Sequence, residues 1–100
     1  MDNHFGGVIW TNHAIGRLRE RGIKQGDAWA TWRNPQESKK GNSGNWVYRR
    51  TYGGRSIEVV AKQNEKKEWL ILSVWSGPAA SFRDKKRISL FTLLMRKLFG

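Results

Sequence analysis

The chain contains no cysteine, and histidine is almost as scarce, since His4 and His13 are the only two. The absence of cysteine excludes disulfide bonds, thiolate metal ligands and a cysteine nucleophile. Two histidines are too few to indicate a metal site. The sequence therefore predicts a protein without a metal or another cofactor.

Long apolar runs are missing as well. No stretch approaches the roughly 18 apolar residues that a membrane span needs. The segment "MDNHFGGVIW" (1–10) carries an aspartate and lacks the basic region of a secretion signal. We therefore expect a cytoplasmic protein of prokaryotic type without a membrane span. One hundred residues are enough for one domain with a modest core and too few for two.

Acidic residues are few in comparison with basic ones. Nineteen Lys and Arg against eight Asp and Glu give a net charge of +11 and an isoelectric point of about 10.8. Such a surplus attracts polyanions, of which nucleic acid is the commonest, although an anionic membrane surface or an acidic protein would satisfy the same charge. Six tryptophans and 38% hydrophobic residues provide area to bury, so the composition is that of a folded protein.

The segment "TNHAIGRLRERGI" (11–23) predicts an amphipathic helix that begins at a Thr11 or Asn12 cap and ends near Arg21, before Gly22. At about 100° per residue, one apolar face of this helix contains Ala14, Ile15 and Leu18.

One border of that apolar face is formed by His13, Arg17 and Arg21, while Arg19 lies beyond the other border. Metal-independent RNA cleavage needs a base, an acid and fixed cations beside the phosphate. Histidine exchanges protons near neutral pH, and arginine binds phosphate oxygens in a bidentate manner. A boundary histidine beside an ordinary solvated helix face would give the same pattern, so both interpretations stay open here.

The rest of the chain predicts a second helix, from an Asp27 cap to Asn34-Pro35, and a flexible polar loop over 36–45. Strands are predicted at 46–52, 55–62 and 69–76. The last of these is nearly all apolar, and we expect it to be the central strand.

Strand alternation places Tyr48 and Arg50 on one face of the strand 46–52 and Arg49 on the other. At most one of the two arginines can therefore join a given site. Tyr48 is suited to stack on an RNA base, whereas Arg49 and Arg50 fit an ordinary strand surface equally well.

The spacing H-A-x-x-R-x-x-E-R-G-I at 13–23, preceded by Thr11 and followed by a meander of strands, resembles a family of small prokaryotic domains of unknown function, family 4258. The resemblance covers roughly residues 9–76. That family is similar to the barnase–EndoU–colicin–RelE group, many of whose members are metal-independent ribonucleases or toxins. The resemblance implies site roles for His13 and Arg17, a weaker one for Arg21, and one for Ser73 at a last-strand position where relatives often carry threonine.

We therefore expect an α+β protein with a RelE-like domain over 1–83, in which two N-terminal helices pack on a small antiparallel β-meander. A basic amphipathic helix is expected over 84–100. This added helix fits three roles: covering the sheet, which we favour, binding a second protein chain, or lying on an anionic bilayer.

The function expected from the sequence is a metal-independent endoribonuclease of toxin type that acts on RNA, with His13, Arg17 and Ser73 as catalytic residues. The expected nucleic-acid contacts are Arg17, Arg19, Arg21, Tyr48, Arg49 and Arg50. An acidic antitoxin or immunity protein is the expected partner. The alternatives are a non-enzymatic nucleic-acid-binding module and a protein-interaction domain that uses the C-terminal helix.

Overall fold

The computed structural model describes residues 2–41 and 44–78. A 3₁₀ turn at Phe5–Gly7 comes first, and the elements that follow are β1 (Ile9–Trp10), α1 (Asn12–Glu20), α2 (Gln25–Arg33), β2 (Glu37–Lys40), β3 (Trp46–Tyr52), β4 (Arg55–Gln63) and β5 (Trp69–Pro78). The strands form one five-stranded sheet in the order β1-β5-β4-β3-β2. β1 runs parallel to β5, and every other neighbouring pair is antiparallel.

The fold class expected from the sequence, a RelE-like small antiparallel meander with an added C-terminal helix, is wrong. The sheet is mixed and has five strands. Its parallel strand β1 is only two residues long and pairs Ile9 with Leu70 and Trp10 with Ile71. So short a strand has no periodicity of its own to read, and the free edge of β5 determines its pairing. The helix expected over 84–100 lies outside the described residues.

The segment 36–45 was expected to be a loop, yet it contains the edge strand β2. Three of its four residues are exposed, and it pairs antiparallel with β3. Charged, solvent-facing sequence is typical of an edge strand, and it hides the apolar alternation by which strands are recognised. With β2 and β1 at the two edges, the central strand is β4 rather than β5.

The two helices lie where the sequence indicates them, with one difference at a boundary. α1 is capped by Thr11, and the residue that follows its C-cap, Gly22, has a φ of +61°. The cap of α2 is Lys24 rather than Asp27, which lies within the first turn. A carboxylate there interacts favourably with the N-terminal end of the helix dipole, as it would at the cap itself.

The core lies between one face of the sheet and the two helices. α1 packs on β5, and α2 packs on β4 and β3. Among the buried residues are Trp10, Ala14, Leu18, Ala28, Val59, Ile71 and Val74. Half-buried aromatic side chains surround this cluster: Trp29, Trp32, Tyr48, Tyr52 and Trp69. Neither helix of the described part has the length and apolarity needed to cross a bilayer.

Candidate nucleic-acid interface

The exposed side of α1 carries a guanidinium group placed between an imidazole and a carboxylate. Arg17 Nε lies 3.4 Å from His13 Nε2, and Arg17 Nη1 lies 2.9 Å from Glu20 Oε2. These spacings of four and three residues bring side chains together on any α-helix. Because a guanidinium group only donates hydrogen bonds, the His13 nitrogen that faces it is an acceptor in this arrangement.

The position of His13 is set by the turn before it. Thr11 Oγ1 donates to the carbonyl oxygen of Ile71 at 3.0 Å and accepts from the amide of Ala14 at 3.1 Å. Ala14 and Ile15 are buried, whereas His13 is exposed. The first turn of α1 is therefore fixed against β5, and the imidazole faces solvent.

At the other end of α1, the Arg21 guanidinium lies against Trp75, with its Cζ 3.7 Å from the ring centroid. Burial lowers the pKa of Arg21, and repulsion from Arg17 lowers it further, while Glu20 opposes the shift. The spacing of four residues places the side chains of Arg17 and Arg21 on the same side of the helix. His13, Arg17 and Arg21 thus form one continuous line along α1, which we call the cationic ridge.

Arg55 adds a further cation at the Arg21 end of the ridge. Its Nη2 donates to the carbonyl oxygen of Arg21 at 2.8 Å and to Ser76 Oγ at 2.8 Å. The sequence did not reveal this residue, because only the register of the sheet brings the start of β4 beside the end of β5. Strand alternation places Trp75 on the sheet face opposite to the core residue Val74, and this pattern could be read from the sequence.

Two other predicted residues lie apart from the ridge. Arg19 is exposed on α1, and its side chain makes no ion pair within the described residues. Ser73 is buried and pairs with Val60, on the sheet face opposite to the Val59–Val74 pair that joins the helix-side core. The structure therefore does not bring Ser73 to the imidazole of His13.

Tyr48 and Arg50 lie on the helix side of the sheet, on β3, which contacts α2. The Tyr48 ring stacks on Trp46 with centroids 6.3 Å apart, and burial raises the pKa of its phenol. Arg50 Nη1 donates to the carbonyl oxygen of Asn34 at 2.7 Å. Arg50 is thus held at the end of α2 and Tyr48 lies between Trp46 and Trp69, whereas the ridge belongs to the helix on β5.

Arg49 points to the opposite face and is buried, with 6% of its surface exposed. Its Nε donates to Glu37 Oε1 at 2.8 Å, and its Nη2 contacts the same oxygen. Its Nη1 donates to Thr51 Oγ1 at 2.7 Å and to Ser56 Oγ at 3.1 Å. A phosphate contact by Arg49 would require these bonds to break.

Possible metal ligands are scattered over the described part of the chain, where no three His, Asp or Glu side chains are grouped for an ion. Comparison with curated proteins and with solved structures gives no match. Residues 10–75, which hold the whole cationic ridge, match the family described as a domain of unknown function, DUF4258. This match spans most of the chain, so the protein belongs to the DUF4258 family.

Proposed function

We propose that the protein is a metal-independent endoribonuclease of toxin type, active in the cytoplasm, with its site on the cationic ridge. The observation that carries this proposal is the position of Arg17, with its guanidinium group between His13 and Glu20. One cation suited to a phosphate thus lies between two groups that accept and donate protons. The resemblance of the family to ribonuclease toxins supports the same assignment.

The reaction assigned to this site is attack of a ribose 2′-oxygen on the adjacent phosphorus. The 2′-oxygen–phosphorus bond forms, the bond from phosphorus to the 5′-oxygen breaks, and the product ends in a 2′,3′-cyclic phosphate. A base takes the proton of the 2′-hydroxyl, and an acid supplies the proton of the leaving oxygen. The extra negative charge on the phosphorane is stabilised by fixed cations, here Arg17.

Binding of the phosphate prepares both proton-transfer groups. In the free protein Arg17 donates to His13 and to Glu20. When the N–H groups of Arg17 bond to the phosphate instead, the imidazole of His13 and the carboxylate of Glu20 lose their bonds to Arg17. In this proposal the imidazole of His13 supplies the proton of the leaving 5′-oxygen, and the Glu20 carboxylate takes the proton of the 2′-hydroxyl.

The experiment compares the wild type with His13→Ala on structured and single-stranded RNA, in EDTA and at low salt. Loss of general acid catalysis slows cleavage by about 100-fold or more, while RNA affinity changes little. His4→Ala is the matched control, because His4 is also exposed but lies next to the 3₁₀ turn, outside the ridge. Intact RNA with the wild type, or equal cleavage by His13→Ala, would overturn the proposal.

A non-enzymatic nucleic-acid-binding module is the second candidate. The observation that favours it is the placement of Arg21 and Arg55 together at one end of the ridge, away from His13. A binding module needs these cations and does not need an imidazole. It would leave RNA intact and bind it with an affinity that falls steeply with salt, and His13→Ala would bind equally well.

The net charge of +11 supports an acidic antitoxin or immunity protein as the partner. Such a partner would cover the cationic ridge and compete with RNA for it. The alternative of a protein-interaction domain that uses residues 84–100 concerns a segment outside the described part.

A further inference from the structure

We propose that Arg21 and Arg55 bind a second phosphate of the RNA strand, one nucleotide away from the phosphate held by Arg17. This inference rests on the proposed function, because it takes the reacting phosphate to lie at Arg17. It assigns to the end of α1 a binding role that is separate from the chemistry at His13.

The first argument is the number of free donors at this end of the helix. A guanidinium group carries five N–H bonds. Within residues 2–41 and 44–78, no acceptor is bonded to the side chain of Arg21, and because its Nε is buried, Nη1 and Nη2 are the donors that a ligand can reach. Arg55 uses Nη2 for its two bonds, which leaves the N–H groups of Nε and Nη1 for a ligand. Phosphate oxygens are the acceptors that match such donors.

The second argument is that both guanidinium groups are already held in place. Contact with the Trp75 ring at 3.7 Å supports the Arg21 guanidinium group from one side. The bonds to the Arg21 carbonyl oxygen and Ser76 Oγ fix Arg55. Groups that are ordered before binding lose less entropy when a ligand arrives.

The third argument is charge. Arg17, Arg21 and Arg55 bring three cations to this end of α1, and the nearby Glu20 carboxylate is already paired with Arg17. Repulsion between Arg17 and Arg21, together with the burial of Arg21, costs free energy that an anion at this end would recover.

The spacing favours two phosphates over one. Arg17 and Arg21 are one helical turn apart, or about 6 Å along the axis. Arg55 is anchored to the end of the helix, beyond Arg21. One phosphate at Arg17 and the next at Arg21 and Arg55 therefore suit a strand that runs along α1.

The experiment uses a trinucleotide with 2′-O-methyl groups, which cannot be cleaved and carries two phosphates. In two derivatives, one phosphate or the other is replaced by an uncharged methylphosphonate. Fluorescence anisotropy measures the affinity of each for the wild type, Arg21→Gln, Arg55→Gln and the control Arg33→Gln. Arg33 is an exposed arginine on α2.

We expect at least one methylphosphonate to weaken binding to the wild type by about tenfold. Arg21→Gln weakens binding of the unmodified trinucleotide to a similar extent. This variant binds the unmodified trinucleotide and the weakened methylphosphonate derivative with equal affinity. The slope of log affinity against log salt falls by about 0.7, the value for one phosphate contact on a single strand. Arg33→Gln behaves like the wild type in all three respects.

The inference is overturned if Arg21→Gln still distinguishes the two ligands, if Arg33→Gln loses as much affinity, or if the wild type does not bind the trinucleotide. Thermal unfolding checks that each variant is folded, and Arg21→Lys and Arg55→Lys keep the charge if a glutamine variant unfolds. RNA cleavage is measured separately. If the wild type binds the methylphosphonate derivative more weakly than the unmodified trinucleotide but leaves RNA intact, the endoribonuclease proposal is overturned. The proposal of a two-phosphate site is then retained.

Discussion

Thr11 joins α1 to the sheet through Ile71: its hydroxyl donates to the carbonyl oxygen of Ile71 at 3.0 Å while it accepts from the amide of Ala14 at 3.1 Å. One side chain thus caps the helix and fixes its first turn on β5. The amide of Thr11 donates to the same carbonyl oxygen at 3.1 Å, and His13 belongs to the turn that these bonds hold.

Thr11→Ala is therefore expected to lower the free energy of unfolding by about 1–2 kcal/mol, because the cap and the bond from the hydroxyl to β5 are both lost, while the bond from the Thr11 amide to Ile71 remains. Thr11→Ser retains the hydroxyl and should lose less than half of that. Urea unfolding of the three proteins measures the difference. Equal stability of the alanine variant and the wild type would show that the hydroxyl does not hold α1.

Arg49 and Arg50 are neighbours in sequence with opposite environments, which makes them a matched pair. Arg49→Gln removes a buried cation from Glu37, and we expect a loss of about 3 kcal/mol in the free energy of unfolding. Arg50→Gln loses an exposed bond to Asn34 and should cost about 1 kcal/mol or less. Chemical denaturation measures both, and equal losses would contradict the assignment of Arg49 to a structural role.

Gly6 and Gly7 both have positive φ angles, of +69° and +78°, but their surroundings differ. A Cβ atom at Gly6 would overlap the indole ring of Trp29, whose Nε1 donates to the carbonyl oxygen of Gly6 at 3.0 Å, while one at Gly7 meets no atom within 4 Å. Gly6→Ala is expected to cost about 2 kcal/mol or more, and Gly7→Ala about 1 kcal/mol from backbone strain alone. Thermal unfolding of the two variants compares them directly, and a larger loss for Gly7→Ala would contradict the packing described.

The phenol of Tyr48 makes the free energy of unfolding depend on pH in the alkaline range. Burial raises its pKa above the ordinary value of 10.0, so folding favours the neutral form. The stability that this provides is present below about pH 10 and is lost as the pH rises through the raised pKa of Tyr48.

Tyr48→Phe has no proton to lose and should be less sensitive to this change. Urea unfolding at about pH 8 and about pH 11 is expected to show a larger fall in stability for the wild type than for the variant. Tyr52→Phe serves as the control, since the other tyrosine lies on the same strand. An equal fall for the wild type and Tyr48→Phe would assign the alkaline transition to other groups.

The features that the sequence determined are those with local causes. The cap at Thr11, the stop at Gly22 and the apolar face of α1 define that helix within a few residues of chain. The contact between His13 and Arg17 follows from the pitch of a helix, which brings residues four apart onto one face. In the strand 46–52, successive side chains point to opposite faces of the sheet, so the alternation correctly separates Arg49 from Arg50.

Only the tertiary structure decided the mixed sheet and the surroundings of the ridge. β1 and β2 are short strands without a pattern of their own, and they form because neighbouring strands offer free backbone donors and acceptors. The cluster at Arg21 joins the end of α1 to residues of β4 and β5 that lie 34 or more positions further along the chain than Arg21. Such contacts depend on strand order and register, which the packing of the whole chain sets and which no local stretch encodes.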